Sequence, residues 1–84
     1  MEETKLDTTL ELMDLLEKYK HDYARTYVRL HNDINLVAGT DNIEELERLN
    51  NMADLLNSMI ATRYVRQAGY YFNNDSERWE RTPG

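Results

Sequence analysis

The sequence predicts an all-α fold whose centre is a hairpin of two long antiparallel helices. Apolar side chains recur at seven-residue intervals in both halves of the chain, as one face of an amphipathic helix requires. The single proline, Pro83, stands near the C-terminus and interrupts neither half. Gly39 lies between the halves, and glycine is the residue best able to adopt the left-handed conformation that often follows a helix. We therefore expect the chain to reverse at Gly39.

The first helix is predicted over residues 8–38, after an N-terminal arm of residues 1–7. Thr8 and Glu11 have the spacing of a capping box, and Asp7 adds negative charge near the positive end of the helix dipole. Lys20 is the one charged residue on the predicted core-facing stripe. The apolar members of that stripe are Met13, Leu16, Tyr23, Tyr27, Leu30, Ile34 and Val37.

The second helix is predicted over residues 41–72 and opens with a capping box from Asp41 to Glu44. A lone glycine costs about 1 kcal/mol inside a helix, so we expect the helix to continue through Gly69, with termination there as the alternative. Residues 73–84 are predicted to form a tail in which Asp75 or Ser76 can cap one short helix that carries Trp79. The apolar stripe of the second helix contains Leu46, Leu49, Ala53, Leu56 and Ile60.

Pairing the two helices around Gly39 places Arg25 level with Asp54, and Glu17 and Asp14 level with Arg63 and Arg66. The apolar faces are wider than one partner helix can cover, because leucines and a methionine lie beside both stripes. We therefore expect two hairpins to form a four-helix bundle as a homodimer or a higher oligomer. Folding of the tail back over the hairpin through Trp79 is the alternative. The residues in question are Leu12, Leu15, Leu55 and Met59.

Composition limits the classes of function. The chain has 84 residues, no cysteine and a formal charge of −6, so it has a thin core without disulfides and little attraction for nucleic acid or anionic lipid. It contains neither an apolar run long enough to span a membrane nor a signal peptide. We expect a cytoplasmic protein with no membrane association, for which nucleic acid is an unfavoured partner.

Residues suited to catalysis or metal binding are scarce. The chain offers two serines and two histidines but none of the spacings that mark a catalytic centre, and Gly39 stands outside any phosphate-binding motif. Glu17 and His21 are four residues apart, yet an ordinary solvated or capping histidine is the simpler interpretation. His31, at the edge of the stripe, is better suited to an interhelical hydrogen bond. We predict no enzyme activity, no metal and no cofactor.

Two groups of residues are candidates for binding a partner. The first is acidic and lies at the start of the predicted second helix, where it could imitate the phosphates of a nucleic acid, although the helix dipole alone explains acids in this position. It consists of Asp41, Glu44, Glu45 and Glu47.

The second candidate group combines arginine with aromatic residues, the types that dominate binding hot spots. Its alternative role is structural, with its rings packed on leucines at the open end of the hairpin. Stacking of nucleic-acid bases on these rings is the least favoured of the three possibilities, given the acidic net charge. The group consists of Arg63, Tyr64, Arg66, Tyr70, Tyr71, Arg78 and Trp79.

These features predict a non-catalytic protein–protein interaction module. A small inhibitor or regulator of phage type, directed against an enzyme or a nucleic-acid-binding machine, is one form of such a module. One alternative is a structural protein that functions by self-assembly. The other is a helical bundle that binds a small anionic ligand between protomers through Arg63 and Arg66.

Overall fold

A computed structural model describes the backbone of residues 2–83 and the side chains of residues 7–83. The chain forms three long helices, one short helix and a two-stranded antiparallel sheet. The predicted two-helix hairpin with a tail is therefore wrong, although the fold is mostly helical. The elements are α1 (Glu2–Lys18), α2 (Tyr23–Ala38), α3 (Ile43–Met59), α4 (Thr62–Gln67), β1 (Tyr70–Asn73) and β2 (Arg78–Arg81).

The helix predicted over residues 8–38 is interrupted by a reversal between α1 and α2. Lys20 and His21 have left-handed backbone angles, with φ of 56° and 62°. The Lys20 amide donates to the Glu17 carbonyl and the His21 amide to the Leu16 carbonyl, the two hydrogen bonds of a Schellman ending. Asp22 then caps α2 by accepting a hydrogen bond from the Arg25 amide at 3.1 Å. The sequence did not predict this break because the chain makes the turn without a glycine.

The predicted reversal at Gly39 does occur, between α2 and α3. Gly39 has φ of −84°, so the turn does not use the left-handed conformation that glycine allows. Asn42 caps α3 by accepting from the Glu45 amide at 3.1 Å, one residue later than the predicted cap at Asp41. Residues 39–42 are so short a connection that α2 and α3 lie side by side in opposite directions.

The helix predicted over residues 41–72 ends early, at Met59. Ile60 is extended, α4 adds a short helical segment, and Gly69 has φ of 102°, a conformation that side-chain-bearing residues rarely adopt. The aromatic residues that follow favour a strand over a helix. The tail predicted to carry a short helix instead supplies β2, which pairs with β1 so that Phe72 lies opposite Trp79.

Two reversals separate α1 from α3, so these helices run in the same direction. Arg48 on α3 donates to the Glu11 carboxylate on α1 at 2.7 Å and is also ion-paired with Glu45. Within residues 7–83 the only other ion pair joins Arg29 and Asp33, so Glu17 and Asp14 do not pair with arginines of α4. The charge pairing predicted for a two-helix hairpin is thus absent among these residues. The ion pair between Arg48 and Glu11 joins α1 to α3 instead.

The core lies where α1, α2, α3, α4 and β2 meet. Part of the apolar surface that the sequence assigned to a second protomer is covered within one chain, because Leu12 is buried and Leu15 and Leu55 are half-buried. The four-helix bundle of two hairpins is therefore not the fold of this protein. The buried apolar residues are Leu12, Leu16, Ala24, Tyr27, Leu30, Leu49, Met52, Ala53, Leu56, Val65 and Trp79.

Asn32 fastens the β-hairpin to α2. Its side-chain amide donates to the Trp79 carbonyl at 3.1 Å and accepts from the Trp79 amide at 2.9 Å, and Asn32 itself is only 8% exposed. The Trp79 ring makes edge-to-face contacts with Tyr27 and Phe72, with centroids 5.6 and 5.9 Å apart. Asn35, one turn further along α2, donates to the Glu77 carbonyl at 2.8 Å. A buried polar pair and an aromatic cluster therefore hold the hairpin in place.

Replacing Asn32 with alanine should destabilise the protein by about 2 to 3 kcal/mol, because two buried backbone groups of Trp79 lose their partners. Asn35→Ala is the matched control and should cost at most about 1 kcal/mol, since its single hydrogen bond is exposed. Urea unfolding followed by fluorescence of Trp79, the one tryptophan, measures both. Equal losses in the two variants would contradict a central role for Asn32.

Replacing Lys20 with glycine should stabilise the protein by about 1 kcal/mol, since glycine adopts left-handed angles without the steric cost that lysine incurs. Glu17→Gly, inside α1, should destabilise it by about 1 kcal/mol. Thermal unfolding of the two variants should show opposite shifts in Tm. A lower Tm for both would indicate that one helix continues through residue 20.

Candidate functional site

The structure divides the predicted arginine and aromatic group among separate surfaces. Arg63, Tyr64 and Arg66 are exposed on α4, where Tyr64 retains 48% of its accessible surface. Trp79 is 9% exposed and belongs to the core. Tyr70 is half-buried on β1. The seven residues therefore do not form one binding surface.

Tyr71 and Arg78 lie on the hairpin and are both exposed. Tyr71 donates its hydroxyl proton to Glu80 at 3.2 Å, and this hydrogen bond raises the pKa of Tyr71. Hydrogen bonds from Ser76 and Asn73 lower the pKa of the Glu80 carboxyl. These contacts join neighbouring positions of the hairpin, so they explain the polar side chains there without a ligand.

The predicted acidic group is also divided. Asp41 is exposed in the turn before α3, and Glu44 and Glu47 are exposed on that helix. Glu45 instead accepts a hydrogen bond from Arg48, and this bond, together with the one that Arg48 donates to Glu11, raises the pKa of the guanidinium. Glu44 and Glu47 lie close to acidic residues of α1, which the sequence did not predict.

Those residues of α1 are close because α1 runs beside α3. A shallow cleft between the two helices is lined by Asp7 and Glu11 on one side and by Glu44 and Glu47 on the other. The cleft also contains Arg48, which is occupied by its ion pairs. Four carboxylates therefore line one end of the surface shared by α1 and α3.

An apolar groove continues along the same pair of helices toward the reversal between α1 and α2. Three of its large apolar residues are exposed to solvent: Leu10 is 53% exposed, Met13 58% and Met59 48%. Leu55 and Tyr23 are half-buried in its wall. Methionine side chains are flexible and polarisable, so such a groove can adapt to different apolar partners. Both α1 and α3 thus contribute to one exposed apolar surface.

The edge of the apolar groove is acidic. Asp14, Glu17 and His21 contribute to its lining, and among the side chains of residues 7–83 no lysine or arginine does. Asp14 and Glu17 are both exposed. The sequence did not predict this groove, because one straight helix in place of α1 and α2 would separate Met13 from Met59. The surplus of apolar residues beside the stripe was the one available signal.

His31 is half-buried on α2 beside Tyr27. Its ring lies 4.0 Å from that of Tyr27, and its Nε2 atom is buried without a hydrogen-bond partner in the described structure. Burial lowers the pKa of His31, although a hydrogen bond with Asn57 raises it in part. His31 does not line the apolar groove. Its role is therefore packing beside Tyr27.

The described residues gather no group of three or more histidine, cysteine, aspartate or glutamate side chains that could hold a metal ion. Within the same part of the chain, every helix is too short or too polar to cross a lipid bilayer. Comparisons with protein families, with curated proteins and with solved structures gave no match. The geometry of the surface is thus the basis for assigning a function.

Lowering the pH from 7.5 to 5.5 should lower the Tm, because the unfolded state binds a proton at His31 before the folded state does. The folded-state pKa lies below 6.5, so the stability is fully present above that value and declines as the pH falls below it. His31→Gln should remove this part of the decline, whereas His21→Gln, at an exposed position, should retain it. Calorimetry of the three proteins at both pH values provides the measurement. The same decline in all three would rule out His31 as its source.

Proposed function

We propose that the protein is a non-catalytic module that binds another protein through the apolar groove between α1 and α3. The observation that carries this proposal is the exposure of Leu10, Met13 and Met59 side by side along one groove. Exposed apolar surface of this kind, bordered by charge, is typical of interaction sites. An amphipathic helix fits a groove between two parallel helices by inserting apolar side chains at three- and four-residue spacing.

The partner that suits the groove is a basic amphipathic segment. Asp14 and Glu17 at the edge can pair with lysine or arginine on the polar side of such a helix. The exposed carboxylates of Asp7, Glu44 and Glu47 continue the negative surface beyond the groove. The formal charge of −6 adds long-range attraction for a basic protein.

A second copy of the chain is a less suitable occupant. A symmetric dimer across this groove would bring the acidic edges of two protomers, each with Asp14 and Glu17, into one interface. Like charges in contact oppose association. The proposed partner is therefore a different protein, and we propose an inhibitory or regulatory role in the cytoplasm, directed at a basic surface of an enzyme or a nucleic-acid-binding machine.

A synthetic peptide of defined sequence can take the place of the natural partner in a test of the groove. We expect an amphipathic peptide with leucines on one face and lysines on the other to bind and to shift the methyl signals of Met13 and Met59 in NMR spectra. The same peptide with glutamate in place of lysine should bind at least about tenfold more weakly, because it meets Asp14 and Glu17. Equal binding of the two peptides would contradict the charge argument.

Met13→Glu should weaken binding of the lysine peptide by about tenfold or more, since it places a charge in the apolar groove. Ile43→Glu is the matched control: Ile43 is 74% exposed on α3 but does not line the groove, so the added charge should leave the affinity nearly unchanged. The same pair of variants, used for capture from cell extract, should separate a partner that occupies the groove from proteins that bind elsewhere. Equal losses in the two variants would overturn the assignment of this groove. Concentration-dependent dimerisation that Met13→Glu abolishes would show that a second copy is the occupant.

A further inference from the structure

A second groove, between α2 and the β-hairpin, has the opposite charge. Four of the ten basic residues of the chain contribute to it, two from α2 and two from β2. Tyr19 and Tyr70 stand among them, and both are half-buried. The four arginines are Arg25, Arg29, Arg78 and Arg81.

The positive charge of this groove is partly balanced, by Asp33 in its lining and by Glu80, whose carboxyl pKa Arg78 helps to lower. Asp33 is the one carboxylate in the described part of its lining, and it pairs with Arg29 at 3.3 Å. Arg25, Arg78 and Arg81 form no ion pair with any side chain of residues 7–83. In a protein with a net charge of −6, this is a local reversal of sign. It gives the groove an attraction for anions that the net charge conceals.

Aromatic rings position two of these guanidinium groups. The Arg25 guanidinium lies 5.1 Å from the centre of the Tyr19 ring, and that of Arg81 lies 5.9 Å from the centre of the Tyr70 ring. Such cation–π contacts restrict the conformation of the arginine side chain. The N–H donors lie in the plane of the group, so they remain able to bind an anion.

The distance between the two pairs of arginines depends on how the hairpin is attached. Trp79 adjoins Arg78 in β2, and its backbone is held by Asn32, which lies on α2 close to Arg29. The paired hydrogen bonds therefore fix β2 against α2 at the position where both elements contribute guanidinium groups. A preorganised site loses less conformational entropy when it binds a ligand.

We propose that this groove binds a small ligand that carries two or more adjacent phosphate groups. Guanidinium groups form paired hydrogen bonds with phosphate oxygens, and adjacent phosphates concentrate enough negative charge to engage arginines from both elements. The ligand is small because the acidic surface elsewhere repels an extended polyanion. A free nucleoside triphosphate and the 5′-triphosphate end of an RNA strand share this chemistry. The site is separate from the apolar groove and independent of the function proposed for it.

Calorimetric titration at low ionic strength with inorganic triphosphate, ATP and a ten-nucleotide single strand tests the proposal. We expect triphosphate and ATP to bind, and Arg78→Gln and Arg25→Gln each to weaken binding by about tenfold, as expected for loss of one charge-assisted contact. Native fluorescence of Trp79 in Arg78→Gln verifies that the hairpin remains docked. Tighter binding of triphosphate than of ATP would still support the site, because the phosphates alone would then carry the recognition.

Arg63→Gln is the matched control, since Arg63 is exposed on α4 and does not line the groove. It should leave the affinity for triphosphate unchanged, and so should Met13→Glu in the apolar groove. If Arg63→Gln weakened binding as much as Arg78→Gln, the interaction would be nonspecific and the proposal would fail. Absence of binding by both triphosphate and ATP, or much tighter binding of the strand or of a glutamate-rich peptide, would also overturn it.

Discussion

The paired hydrogen bonds between the Asn32 side chain and the Trp79 backbone attach the β-hairpin to the helices. They join α2, in the helical layer, to β2, which lies more than forty positions further along the chain. In a chain of 84 residues without cysteine, such a distant connection takes the place that a disulfide occupies in many small domains. Asn32 is almost fully buried, so its loss would leave both backbone groups of Trp79 without water or protein partners.

The reversal at Lys20 and His21 determines the surface on which the proposed partner binds. It turns α1 back so that it lies beside α3, and this brings Met13 and Met59 to one groove. The reversal uses left-handed lysine and histidine, which are less favourable there than glycine. The hydrogen bonds of the Schellman ending and the Asp22 cap offset part of this steric cost. An unfavourable backbone conformation at two residues thus places α1 beside α3 and forms the apolar groove.

Charge is arranged in two regions that the net value of −6 does not distinguish. Acids from α1 and α3 line one side of the bundle, whereas arginines from α2 and β2 line the groove under the hairpin. Each region takes its members from elements far apart in the sequence. The basic partner and the compact anion proposed above would therefore bind at different surfaces.

The sequence by itself determined which residues form helical faces. The seven-residue apolar pattern marked Leu16, Leu30, Leu49 and Leu56, all of which are buried, and Gly39 marked a real turn. Tertiary structure decided how many helices those faces belong to and placed the C-terminal aromatic residues in a β-hairpin. It also decided which arginines line one groove. The physical reason is that α1 and α2 face the same core, so the apolar pattern continues across the reversal as it would along one helix. A pattern of neighbouring residues reports which side chains avoid water, whereas a groove depends on which distant segments are packed together.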